Sequence, residues 1–264
     1  MPTRVAESVY TVGALVERAD ACALIVDADR ARADDSDATA LAAAVVDRAR
    51  PDSIASAFAG AREHARRARG MLGADVREAL DATRARMPRK VASARLHEFL
   101  SWTRERASLI TGIVEASAPR DDAYYLFTLG RASTRALMTV RTLAERVPSV
   151  ADAADAASLL RACGALETFR ARGSGDPSLA DIESLLLHDE GVPHGLPYTL
   201  ATMDRALNAL RLVQRPSGAV PRRLPPQLTL GGLPEIRDAV AHRVESAAVD
   251  VRDADETLLK SVRR

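Results

Sequence analysis

Residues 4–20 read Arg4-Val5-Ala6-Glu7-Ser8-Val9-Tyr10-Thr11-Val12-Gly13-Ala14-Leu15-Val16-Glu17-Arg18-Ala19-Asp20, and this stretch decides the fold class. At 100° per residue, Val5, Val9, Val12, Val16, Ala19 and Ala23 line up as one apolar stripe. Glu7, Tyr10, Ala14, Glu17, Arg18 and Ala21 fall on the opposite side. The first stripe is core. The second mixes carboxylates, a phenol and small residues, a combination that a solvated face does not require.

The same 3.6-residue period continues along the chain. It predicts helices over 3–30, 38–49, 52–71, 74–86, 90–117, 121–146, 150–171, 178–187, 196–213 and 234–260. Pro51-Asp52-Ser53 starts the third, and the acidic turn Asp34-Asp35-Ser36-Asp37 caps the second. Pro119, Pro148-Ser149 and Gly173-Ser174-Gly175-Asp176-Pro177 punctuate the later ones. Residues 216–234 are Pro/Gly-rich and irregular by expectation, with a short extended piece at Gln227-Leu228-Thr229-Leu230. Aromatic residues are 3% and hydrophobic residues 47%, so the core is built of small aliphatics that let helices approach closely. The expectation is an all-α, multi-helix bundle, residues 1–264 forming one domain.

Net charge is +1, from 37 basic and 36 acidic residues, which argues against a phosphate-driven nucleic-acid binder. No run of 18 apolar residues is present and the first residues form no apolar signal, so the expected location is cytoplasmic, away from membranes. Cys22 and Cys163 read as buried free thiols. No Gly-rich phosphate loop, dinucleotide fingerprint or Gly-x-Ser-x-Gly elbow occurs. None of the five histidines follows a Glu at the Glu-x-x-His spacing of a di-iron bundle, and no metal site is expected.

An internal repeat is visible. Tyr10-Thr11-Val12-Gly13 and Glu17-Arg18-Ala19 align with Phe127-Thr128-Leu129-Gly130 and Thr134-Arg135-Ala136, an offset of 117 residues. Glycine inside a helix costs about 1 kcal/mol relative to alanine. Two matched glycines therefore predict close helix crossings and a helical pseudo-repeat.

The remaining chemistry is a set of arginines and carboxylates on long helices. Its members are Arg4, Glu7 and Tyr10 with Glu17-Arg18, then Arg62-Glu63-His64 with Arg66, Glu105-Arg106, Arg120-Asp121-Asp122, Arg131 and Arg135. One reading is internal ion pairing that fixes helix register, because a buried arginine needs a partner. A second is a polar cleft, in which the arginines clamp a carboxylate or phosphate and Glu17 or Glu63 holds an amine or acts as a base, and a third is plain solvated helix faces.

Five ordered blocks resemble the alpha-E family, an all-helical bacterial family. They are Arg4, Ala6, Glu7, Tyr10, Gly13 and Glu17 to Asp20; Pro51, Ser53, Ile54, Ala61 to Glu63, Ala65, Arg66, Arg69 and Glu78; Phe99, Glu105, Arg106, Leu109 and Gly112; Arg120 to Ala123, Leu129 to Arg131, Arg135 and Ala136; and Leu185 to Leu187 with Val192-Pro193. The chain departs from the family pattern at Ala14-Leu15, where Arg-Tyr is usual. It departs again at Val76 and at Thr134 and Leu137, where the second repeat usually keeps a Glu and an acid. A site that needs both acidic repeats is altered in this chain.

The resemblance implies a role beside ATP-grasp proteins, with transglutaminase-like proteins as frequent neighbours. The implied function is a partner or substrate-presenting subunit in ATP-dependent peptide or amide-bond formation. ATP and Mg would be held by that partner and no cofactor by this chain. A stand-alone enzyme working on an aminoacylated or phosphorylated peptide, and a structural scaffold or homodimer, are the alternatives.

Overall fold

The computed structural model describes residues 5–173, 175–210 and 229–261, and side chains as far as Val251. Arg4 and residues 216–228 of the Pro/Gly-rich segment lie outside the described residues. Every regular element among the described residues is helical. Two long helices form the axis: α1 (Val5–Arg30) and α6 (Asp122–Arg146). Between them come α2 (Asp35–Val46), α3 (Ile54–Arg67), α4 (Ala74–Arg86) and α5 (Leu96–Ser117). After them come α7 (Ala153–Ala162), α8 (Leu166–Ala171), α9 (Leu179–Glu183), α10 (Leu196–Ala209) and α11 (Leu233–Ser261).

The predicted apolar stripe of α1 is the core: Val9, Val12, Val16, Ala19 and Ala23 are completely buried. Helix α1 packs on α3, α5, α6, α7 and α11, and α6 packs on α1, α10 and α11. Contacts between the two axial helices advance together, from Glu17 with Arg131 and Arg135 to Asp29 with Arg146. The helices therefore run in the same direction, and α2–α5 form the crossover that brings the chain back. Helix α3 runs antiparallel to α1, because Pro51 meets Arg18 and His64 meets Ser8. Helix α5 does the same, with His97 at Asp27 and Arg104 at Asp20.

The matched glycines meet each other's helix. A Cβ on Gly13 would overlap the Phe127 carbonyl oxygen, and one on Gly130 would overlap that of Tyr10. The two backbones thus touch at a reciprocal crossing, residue 10 to 130 and residue 13 to 127, which only hydrogen side chains permit. The correspondence does not extend to the charges. Thr134 and Ala14 stand where Glu17 and Arg131 would repeat, and Arg18 turns to the Pro51 carbonyl instead.

Several helix boundaries differ from the periodicity. Asp34, Ser53 and Asp121 accept from the backbone N–H three residues on and cap α2, α3 and α6. The helix expected over 150–171 is broken after Ala162, where Gly164 takes φ +74. Cys163 and Ala165 beside it are buried, so the hydrophobic pattern runs on through the break. The expected 178–187 helix is α9 followed by a π-turn at Ser184–His188. Leu230 lies in a 3-10 turn, Leu230–Gly232, rather than in an extended piece. Of the described residues of that piece, Thr229 is extended and Leu230 begins the turn that leads directly into α11.

Candidate functional site

Glu17 is the buried charge around which the axis is assembled, with 3% of its surface exposed. It lies on α1 just beyond the Gly13–Gly130 crossing, where the helices are close enough for α6 to reach it. Arg131 Nε donates to one of its carboxylate oxygens at 3.3 Å and Arg135 Nε to the other at 2.5 Å. One turn on, Asp20 faces Arg135 Nη2 at 3.6 Å and Arg104 Nε of α5 at 3.8 Å. Two acids and three arginines from three helices therefore form one network. Burial, and then the Glu17 carboxylate, raise the Asp20 carboxyl above its usual range, against the pull of Arg135 and Arg104. Burial opposes the charge on Arg135, but Glu17 and Asp20 outweigh it and raise its pKa.

His194, from the loop before α10, lies beside this network and shares a small cavity with Glu17 and Arg135. Its ring lies against Gly164, where an added Cβ would sit 2.6 Å from Nδ1. Burial, then Arg135, Arg104 and Arg131, push its imidazole down to about 3, so it is neutral at physiological pH. Glu17, Arg135, Thr139, Cys163 and His194 line a cavity of about 20 Å³, the room of about one water. Burial pushes the Cys163 thiol up to about 12 and the Cys22 thiol up to about 11, so both are protonated and unreactive. The Cys22 thiol donates to the Asp52 carbonyl at 3.4 Å.

The other expected site residues are spread over separate surfaces. Arg18 lies outside the network and donates to Pro51 O at 3.4 Å. Glu7 and Tyr10 are half-buried on the first turns of α1, Glu7 near His64, whose Nδ1 is 3.4 Å from Ser8 Oγ, and Tyr10 at the Gly130 crossing. Burial, then Arg67, lower the His64 pKa. Arg62 pairs with Asp81 of α4, Glu63 pairs with Arg67 in the open, and Arg66 is exposed. Glu105 is exposed, while Arg106 is half-buried, its Nε enclosed without an acceptor among the described residues. Arg120 lies 4.0 Å over the Tyr124 ring and donates to the Glu115 carbonyl at 2.9 Å. Asp121 is the cap of α6, and Asp122 is exposed in its first turn. Thus the structure joins Glu17, Arg131 and Arg135, and leaves Glu63 more than a helix face away from them, as an exposed surface carboxylate.

Sequence reasoning missed Asp20 and Arg104 as members of the network and His194 beside it. Asp20 is one turn from Glu17, so its helical spacing was a usable signal. Arg104 was masked by its neighbours Glu105 and Arg106, and nothing local marks His194. It also missed a cleft of about 280 Å³ between the ends of α1 and α6 and the start of α7. Asp29, Arg32, Arg146, Ser149, Asp155 and Ser158 line it. Arg146 pairs with Asp29 at 2.8 Å and Arg32 with Asp155, which joins residues 123 positions apart. No group of three His, Cys, Asp or Glu among the described residues is arranged to hold a metal, and no described helix is long and apolar enough to cross a membrane.

A family model, Alpha-E, described as a predicted alpha-helical domain with a conserved ER motif, matches residues 27–260. The chain has three Glu-Arg dipeptides, Glu17-Arg18, Glu105-Arg106 and Glu145-Arg146, of which the last two lie inside the matched stretch. No curated protein and no solved structure matches the chain.

Proposed function

This chain belongs to the Alpha-E family, and from that premise we propose that it is a helical partner subunit of an ATP-grasp ligase, presenting a peptide or amino-acid substrate for ATP-dependent amide-bond formation. The carrying observation is that Glu17 is engaged by Arg131 and Arg135 inside the molecule, with Asp20 facing Arg135 one turn on. A carboxylate held by two guanidinium groups is a poor proton acceptor, and arginines so engaged are not available to clamp a ligand. That favours internal ion pairing over the catalytic reading of Glu17, and moves function to the outer helical surface. In this reading ATP and Mg belong to the partner, and this chain contributes recognition.

The test is purification of the tagged chain from its native host, followed by mass spectrometry and an ATP-hydrolysis assay of the chain alone. A stoichiometric ATP-grasp protein, with no turnover by the isolated chain, is the expected result. ATP turnover by the pure chain that Glu17→Ala abolishes would overturn the proposal.

A further inference from the structure

The chain's near-neutral charge conceals a strong local imbalance. Residues 54–90, the α3–α4 hairpin and its C-terminal flank, hold nine basic residues and four acids, a net charge of +5. The rest of the chain therefore carries −4 against the overall +1. The geometry concentrates this charge. Arg62, Arg66 and Arg69 follow one another at i, i+4 and i+7, and Arg77, Asp81 and Arg84 repeat the spacing on α4. The Arg62–Asp81 pair locks the two rows side by side. Asp81 is used by Arg62, and Glu63 by Arg67.

Arg66, Arg69, Arg77 and Arg84 have no acidic partner among the described residues. Arg66 and Arg69 are exposed, and Arg77 and Arg84 are half-buried. The Arg77 Nε is enclosed and meets no acceptor within the described residues. A buried donor left unmade is costly, and nothing within the described residues offsets the charge beside it. Like charges at this spacing also repel one another, which a docked anion relieves.

We propose that the arginine face of the α3–α4 hairpin docks an acidic helical segment of a protein partner, with carboxylates at every fourth residue. Four residues of helix rise about 6 Å, so such a segment carries its carboxylates at the spacing of Arg62 and Arg66, with Arg69 in the turn just beyond α3. Arginine forks bind carboxylates bidentately, which gives the contact register as well as attraction. A long polyanion fits less well. Nucleic acid or an anionic bilayer extends beyond the hairpin and meets the −4 remainder of the molecule. The one aromatic residue of the hairpin, Phe58, is buried, which leaves no ring on which single-stranded bases could stack. This inference stands whether or not the partner is an ATP-grasp protein.

The test is fluorescence anisotropy of the full chain with a labelled helical peptide carrying Glu at every fourth position. The same peptide with Gln, a single-stranded oligonucleotide and phosphatidylserine vesicles are the comparison probes. At about 0.15 M ionic strength the Glu peptide is expected to bind and the Gln peptide not to. Arg66→Glu with Arg69→Glu, both exposed, should weaken it at least about tenfold at unchanged melting temperature, and the matching lysine pair should retain part of the affinity. Equal binding of the Glu and Gln peptides, tighter binding of the oligonucleotide or vesicles, or an unaffected double variant would each overturn the proposal.

Discussion

At the scale of the residue, Glu17 and Arg18 are neighbours in sequence with different roles. A 100° step along α1 sends Glu17 into the axis and Arg18 to the outside. Removing one member of a buried ion network leaves its partners uncompensated, so Glu17→Gln should cost about 3–5 kcal/mol. Arg18→Ala loses one long contact at the surface and should change stability by no more than about 0.5 kcal/mol. Urea unfolding of the two variants reads the difference directly, and equal midpoints would show that the network does not hold the axis. His194 supplies a pH signature. Its imidazole is neutral in the fold down to about 3, whereas an unfolded chain protonates near its ordinary value of about 6.5. Protons thus bind the unfolded state between those values, and stability falls with pH from about 6.5 toward 3, by at most about 1.4 kcal/mol per unit. Asp20, whose carboxyl is raised by burial and by Glu17, works in the opposite direction. The decisive measurement is therefore the melting temperature of His194→Gln relative to wild type across this range. The gap should narrow, or reverse in favour of the variant, as the pH falls.

At the scale of the element, one substitution has two signs. An alanine at Gly13 or Gly130 meets a carbonyl oxygen of the facing helix, so α1 and α6 must separate. Overpacking of this kind costs about 1–3 kcal/mol, and the backbone contact places it at the upper end. Gly112 lies inside α5 with nothing within 4 Å of an added Cβ. Gly112→Ala should stabilise the protein by about 0.5–1 kcal/mol, through the lower conformational entropy of the unfolded chain. Calorimetry of the three variants checks both signs. The same physics accounts for the break between α7 and α8. Gly164 combines φ +74 with the His194 ring against its Cα, so neither the conformation nor the space admits a side chain.

At the scale of the whole molecule, α1 and α6 touch elements from both halves of the chain, so neither half can release its core without exposing the other. Unfolding should be one cooperative transition. Trp102, the sole tryptophan and stacked at 5.7 Å on Phe99, reports on α5, while far-ultraviolet circular dichroism reports on all helices. Coincident urea curves are expected, and two separated transitions would divide the chain into independent units. The helical class, most of the axial core and the Gly13–Gly130 crossing were legible in the sequence. Each depends on periodicity or on a residue whose cost inside a helix demands a reason. Glu17, Arg131 and Arg135 were legible as charges on those helices, since the second stripe of α1 had to face something other than water. The division between pairing and exposure was not. A stretch such as Arg62-Glu63-His64 does not tell which charge meets Asp81, which meets Arg67 and which meets Ser8. By itself, then, the sequence determined that the chain is a bundle of helices with small aliphatic seams, because local spacing sets which face of a helix is apolar. Only the tertiary structure decided that Glu17 is enclosed by arginines, that Asp20 and Arg104 extend that network with His194 beside it, and that Arg66, Arg69, Arg77 and Arg84 meet no acid among the described residues. Those outcomes depend on which helices lie side by side, over separations of up to 177 residues between Glu17 and His194, and no local pattern encodes that.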